Sequence, residues 1–195
     1  MSLPTPGPDR TALVTGASSG IGADLARELA RRGHGLVLVA RRRERLEELR
    51  DELSECDVRI EVLPADLSER AERSRIADEV ATTGLAVDIL VNNAGLSTIG
   101  ASWRNPVDAE LNMIEVDVAA VADLCTRFVP AMVDRAAARA QRRFDRGLPT
   151  PAGTGRLRGL QVIRVVVHAR VERRAPRNRR ERNRAVSRPG SHRVR

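Results

Sequence analysis

Residues 15–22 read Thr-Gly-Ala-Ser-Ser-Gly-Ile-Gly, set between an apolar run at 11–15 (TALVT) and an amphipathic stretch at 21–32. A strand that turns through glycines into a helix is the pattern of an anion-binding turn. Gly16, Gly20 and Gly22 lack a Cβ, so backbone N–H groups are free to approach a pyrophosphate at the positive end of the helix that follows. Ser18 and Ser19 belong to the same candidate set. The spacing is G-x-x-x-G-x-G, which differs from the commoner G-x-G-x-x-G dinucleotide fingerprint. An ordinary glycine-rich turn is the plain alternative, and the strand before it and the helix after it count against that.

Working outward, the same alternation repeats. Short β-branched apolar runs at 36–40, 58–63 and 87–92 have the texture of buried parallel strands. Helical patterns lie between and after them, at 21–32 with Gly33 as its stop, at 43–55, at 71–82 and at 111–135 with a break expected near Pro130. Strand–helix repeats of this kind predict an α/β fold, a Rossmann-like doubly wound parallel sheet. The second strand runs into Arg41, Arg42 and Arg43. In such a fold an acidic residue there accepts from the ribose 2′-hydroxyl of NAD, whereas Arg suits the 2′-phosphate of NADP. Three guanidiniums and no acid favour NADP(H) over NAD(H). A solvated helix start is the other reading, although Arg at that end opposes the helix dipole.

The charge is divided. All 34 basic residues are arginine, there is no lysine and no tyrosine, and the formal net charge is +8. Residues 1–135 carry 16 Arg against 23 acids, and residues 136–195 carry 18 Arg against Asp145, Glu172 and Glu181. The basic character therefore belongs wholly to the second segment, where Arg, Pro and Gly interrupt almost every window and only 162–171 has strand texture. Cys56 and Cys125, two thiols far apart, suit a reducing compartment and exclude a zinc or disulfide scaffold. No apolar run approaches the roughly 20 residues of a membrane span. The opening MSLPTPGP has neither a basic start nor an apolar stretch, so no secretory signal and a cytoplasmic location are expected.

Three motifs in order then carry a resemblance. TGASSGIG at 15–22, Asp66 in Pro64-Ala-Asp-Leu67 and Asn92-Asn-Ala-Gly95 resemble, in spacing and in place, those of the short-chain dehydrogenase/reductase family. The resemblance covers about residues 9–135. It implies Gly16, Gly20, Ile21 and Gly22 around the phosphates, Asp66 with Leu67 at the adenine, and Asn93, Ala94 and Gly95 beneath the cofactor ribose. It also implies hydride transfer between NADP(H) and a small carbonyl or alcohol. On its own chemistry, Asp66 is open to a second reading as a turn or cap residue.

The family's proton relay resembles a Tyr and a Lys four apart on one helix face, a Ser and an Asn. This chain has no Tyr and no Lys, and Asp117 stands at the Asn position. An ionised carboxylate cannot donate as an amide does, so Asp117 is a doubtful member of any relay. His34, His168 and His192 have no metal spacing, and Ser97 and Thr98 have no evident base beside them. Loss of catalysis is expected. An intact oxidoreductase with an unusual proton donor is the alternative.

The genetic code offers an origin for residues 136–195. Read from the second base of permitted codons, residues 141–147 spell Asn-Val-Ala-Ser-Thr-Ala, and residues 154–162 spell Gln-Ala-Gly-Tyr-Ala-Ala-Ser-Lys. The Tyr would begin in the codon of Leu157, the Lys in that of Gln161 and the Ser in that of Phe144. A frameshift between about Arg135 and Gln141 is therefore expected, leaving residues 9–135 as a truncated nucleotide-binding segment and 136–195 as an Arg-rich, disordered tail. Four strands in the order 3-2-1-4 would leave the fourth as an unpaired edge, with 162–171 the one stretch able to pair there. The remaining alternative is an arm at 170–195 that binds nucleic acid. It lacks aromatic stacking platforms, so such binding is expected to be adventitious only.

Overall fold

The computed structural model describes residues 3–7, 9–98, 102–145 and 161–164. Strands β1 (Arg10–Thr15), β2 (Gly35–Ala40), β3 (Ile60–Pro64), β4 (Ala86–Asn92) and β5 (Gln161–Arg164) form one parallel sheet in the order β3-β2-β1-β4-β5. Helices α1 (Gly20–Arg31), α2 (Arg43–Glu52) and α3 (Arg70–Thr82) connect the first four strands. After β4 the chain runs through α4 (Val107–Ile114), a widened π turn (Glu115–Ala119) and the long α5 (Ala120–Asp145).

The sheet is sandwiched, and alternation along each strand decides which layer a side chain enters. Ala12, Val14, Leu36, Leu38, Ile89 and Val91 meet Ala26 and Leu29 of α1 and Leu46 and Leu49 of α2. Leu13, Val37, Val39 and Leu90 point the other way, onto Ile76 and Val80 of α3 and Leu124, Phe128 and Met132 of α5. Because all strands run parallel, Gly16, Arg41, Ala65 and Asn93 all follow strand C-termini and fall along one edge. The chain's step from β3 across to β4, beside β1, makes the crevice in which such sheets bind ligands.

The structure differs from the sequence reading at several points. The predicted strand at 58–63 is shifted to Ile60–Pro64, because Asp57 adopts a left-handed turn (φ 49°) just before it. The helix predicted over 43–55 stops at Glu52 and closes with a single tight turn at Ser54–Cys56. The break expected at Pro130 lies instead at the π turn, and α5 continues through Pro130. That proline is exposed, so the carbonyl it leaves unpaired faces water, while Leu124, Phe128, Met132 and Ala136 hold both sides of it to the sheet. Finally, β4 is not left as an edge: Ile89–Asn92 pairs with Gln161–Arg164. This falls at the start of the stretch the sequence singled out for that place. Helix α5 also passes beyond Arg135, to Asp145. Residues 146–160 and 165–195, on which most expectations for the tail fall, lie outside the described residues. The run from α4 turns Val107, Leu111, Ile114 and Val118 to solvent, the uncovered face that an incomplete fold implies.

Candidate functional site

The turn after β1 is built by close approach. A Cβ on Gly22 would lie 2.3 Å from the Gly16 carbonyl oxygen and 2.4 Å from Asn93 Nδ2, and one on Gly16 would lie 2.8 Å from Ala94 Cα. Gly16 and Gly22 are thus required by the packing of this loop on the Asn93–Ala94 loop. Gly20 differs: its φ is 57° and nothing lies within 4 Å of where its Cβ would be. It opens α1 at the dipole's positive end, with open space above it. Ile21 is half exposed beside it.

Thr15 joins the two loops. Its hydroxyl donates to the Val91 carbonyl (3.2 Å) and accepts from the backbone N–H of Asn93 and of Ala94, each at 3.0 Å. Asn93 Nδ2 returns the tie by donating to the Thr15 carbonyl at 3.0 Å. The sequence reading missed Thr15. The available signal was a polar residue closing a strand otherwise buried on both faces.

Arg42 reaches back over the glycine turn, donating from Nη2 to Ser18 Oγ and Ser19 Oγ, each at 3.1 Å. Neither serine caps α1 through its side chain; both face the guanidinium instead. Arg41 extends toward Asp66, 4.0 Å away, and both are exposed to solvent. Asp66 Oδ1 accepts from the backbone N–H (3.0 Å) and hydroxyl (2.8 Å) of Ser68, a local turn that matches the plain reading of this residue. Partial burial raises its pKa, but the two Ser68 bonds and the Arg41 charge outweigh that and hold it below its ordinary value. Leu67 is buried beneath the turn.

At the other end of the crevice, Asp117 sits within the π turn, and its Oδ1 accepts from the backbone N–H of Leu96 at 2.9 Å. A Cβ on Gly95 would stand 3.4 Å from the same oxygen. Accepting is a task that carboxylate and amide oxygens share, so Asp117 keeps the loop-holding half of an Asn's capacity and lacks the donating half. Thr98 donates to Glu110 (2.8 Å), which also accepts from Asn105 (2.6 Å). The bonds from Asn105 and Thr98 hold the Glu110 carboxyl below its ordinary value. His34 lies at the opposite end of the sheet, just before β2, and takes no part. Among the described residues no cluster of His, Cys, Asp and Glu is placed to hold a metal. No helix among them is long and apolar enough to cross a membrane.

The structure therefore brings Gly16, Ser18, Ser19, Gly20, Ile21, Gly22, Arg41, Arg42, Asp66, Leu67, Asn93, Ala94 and Gly95 to one edge of the sheet, with Asp117 at its far side. Several known proteins are similar to this chain in sequence and in fold. An NADPH-dependent pterin aldehyde reductase of Arabidopsis thaliana is 35% identical over 127 residues, spanning 65% of this chain and 52% of that protein. The L-sorbose reductase of Gluconobacter frateurii, solved with NADPH and L-sorbose, superposes with a TM-score of 0.64 at 31% identity, over 70% of this chain and 51% of its own. An alcohol dehydrogenase of Thermococcus sibiricus, solved with 5-hydroxy-NADP, gives a TM-score of 0.61 at 32% identity, over 64% of this chain and 54% of its own. The chain spans about half the length of these relatives. The family model for short chain dehydrogenases matches residues 10–140. By that match, and by the glycine turn, Asp66 and Asn-Ala-Gly loop now gathered at one edge, the chain belongs to the short-chain dehydrogenase family.

Proposed function

We propose that the chain is the NADP(H)-binding half of a short-chain oxidoreductase, able to hold the cofactor and unable to complete hydride transfer. The observation that carries this reading is the Arg42 guanidinium laid across Ser18 and Ser19, beside the open cradle at Gly20. Together they offer a phosphate two hydroxyls, a guanidinium fork and a helix N-terminus. Gly16 and Gly22 shape the turn, and Gly20 and Ile21 meet the pyrophosphate. Arg41 and Arg42 select the 2′-phosphate, Asp66 and Leu67 take the adenine, and Asn93, Ala94 and Gly95 lie beneath the ribose. The solved relatives that hold NADP(H) support this assignment.

When bound, NADPH supplies a hydride. The substrate oxygen then needs a proton, and the chain contains no Tyr and no Lys to deliver one. Asp117 holds the Leu96 amide and cannot donate when ionised. A small carbonyl or alcohol is the substrate class of the parent enzyme. Residues 141–195 are read as out of frame, so polyanion binding by their arginines is adventitious. A reducing cytoplasmic setting belongs to the same reading, supported by the free thiols Cys56 and Cys125.

Titration of the full chain with NADPH and NADH at one fixed ionic strength tests the cofactor assignment. NADPH is expected to bind about tenfold or more tightly than NADH, as one charge-assisted phosphate contact allows. Arg42→Ala is expected to erase that preference and leave NADH affinity unchanged. Equal affinity of the parent chain for both cofactors would overturn the preference. NADPH oxidation above blank with any carbonyl of a broad panel would overturn the loss of catalysis and favour an unusual proton donor.

A further inference from the structure

Arginine is rarely buried without a partner for each face of its guanidinium. Arg73, in the first turn of α3, is only 5% exposed. Its Nη1 donates to the Leu67 carbonyl at 2.7 Å and to the Ser68 carbonyl at 3.2 Å, directly beneath the turn shaped by Asp66. Its Nε donates to Asp123 Oδ2 at 3.0 Å, and Nη1 also reaches Glu115 Oε2 at 3.4 Å. Glu115 opens the π turn and Asp123 lies in the first turn of α5. One side chain therefore holds backbone on the β3 side of the crevice and carboxylates on the helical run at its other end.

That run also carries Asp117, whose carboxylate holds the Leu96 amide. The seam is reinforced next door. Arg127 donates to Asp123 Oδ1 at 2.6 Å and to Ser74 Oγ at 2.8 Å, so α3 and α5 are laced by two guanidiniums sharing one carboxylate. Burial raises the Asp123 pKa, but the bonds from Arg127 and Arg73 outweigh it and keep the group ionised. Helices often carry π turns at functional sites, and here one turn holds both Glu115, an Arg73 contact, and Asp117.

We propose that Arg73 is the positioning residue of the cofactor edge. Its guanidinium fixes the Asp66–Ser68 turn to the helical run that bears Asp117 and, through it, the Asn93–Leu96 loop. The proposal rests on the cofactor reading only for what the turn binds; the tie itself is a property of the free chain. A fork is needed because donors must point at two carbonyls and a carboxylate at once. A lysine keeps the charge and loses that geometry.

Hydrogen exchange on the full chain without cofactor is the first test, comparing the parent, Arg73→Lys and Val80→Ala. Val80→Ala removes core volume from the same helix without touching the crevice, and so reports general loosening. Arg73→Lys is expected to speed exchange at residues 66–69 and 93–97 relative to β1 amides, and Val80→Ala to leave those ratios unchanged. Unchanged ratios in Arg73→Lys, or the same change in both variants, would overturn the proposal. A second arm titrates 2′,5′-ADP, the adenosine half of NADPH. Arg73→Lys is expected to weaken it about tenfold, the loss of roughly one well-made hydrogen bond, with Val80→Ala within about twofold. Equal affinities across the three chains would overturn the proposal. If the parent itself fails to bind 2′,5′-ADP, the cofactor reading falls and the exchange result alone decides the tie.

Discussion

Gly20 and Gly22 stand two residues apart and have opposite requirements. Gly22 has no room, because an added methyl would stand 2.3 Å from the Gly16 carbonyl oxygen and 2.4 Å from Asn93 Nδ2. Gly20 has room and an unusual φ of 57°. Gly22→Ala is therefore expected to lower unfolding free energy by about 3 kcal/mol, the upper end of overpacking. Gly20→Ala should cost about 1 kcal/mol for the left-handed backbone. Urea melts of both variants check the order, and a Gly20→Ala cost equal to that of Gly22→Ala would refute it. Spacing alone gave all three glycines the same role and could not show the packing demand on Gly16 and Gly22, because the Asn93 contact comes from 71 or more positions away along the chain. His34 shows the same limit: it reads as a turn residue and is buried. Burial keeps its pKa below the ordinary 6.5, helped by the charges of Arg32 and Arg10 and opposed by that of Asp88. The unfolded chain then takes up a proton at a higher pH than the folded one. This part of the stability is complete above pH 6.5 and is lost as pH falls from there through the lower folded value. His34→Gln is expected to flatten the plot of urea midpoint against pH just below 6.5. An unchanged slope would show that His34 does not set it.

Local pattern revealed the elements that periodicity governs and missed the points where packing competes with it. Strand texture at 11–15, 36–40 and 87–92 located β1, β2 and β4 to within a residue, because strands buried on both faces must be continuously apolar. Gly33, with φ 81°, ends α1 where the helix-stop rule puts it. Pro130 gave a false break. Its local penalty is offset by Phe128 and Met132, whose burial is set by distant residues of the sheet. That penalty remains recoverable. Pro130→Ala restores a backbone donor at an exposed position of α5 and is expected to raise stability by about 1–2 kcal/mol, less than the full cost of a proline in a straight helix. A urea midpoint at or below that of the parent would show that the proline costs this helix nothing. The π turn had no local sequence signal; within it Val116 is buried in the core while Asp117 accepts from the distant Leu96 amide.

Over the whole molecule, an acidic segment that carries the proposed cofactor edge is joined to an Arg-rich one which, among the described residues, supplies Gln161–Arg164 to its sheet. Composition made that junction visible, and the motifs made the first half legible, because each is a short run whose chemistry is local. The proposed frame change rests on the genetic code. There the absent Tyr and Lys reappear four codons apart, beginning at the codons of Leu157 and Gln161. On the proposed frame change the surplus of arginine and the absent Tyr and Lys have one origin, whereas selection for a basic arm would account for the arginine and for neither absence. The consequence is testable by restoring the frame between codons 135 and 141. The restored chain gains a Tyr-x-x-x-Lys helix face and a Ser thirteen positions before the Tyr, and loses most of the arginine of residues 141–195. It is expected to oxidise NADPH in the presence of a small ketone or aldehyde, with the reaction abolished by changing the restored Tyr to Phe. The present chain should bind NADPH and leave it unoxidised. A restored chain that folds, binds NADPH and still transfers no hydride to any carbonyl of a broad panel would show that the frame is not what separates this chain from catalysis.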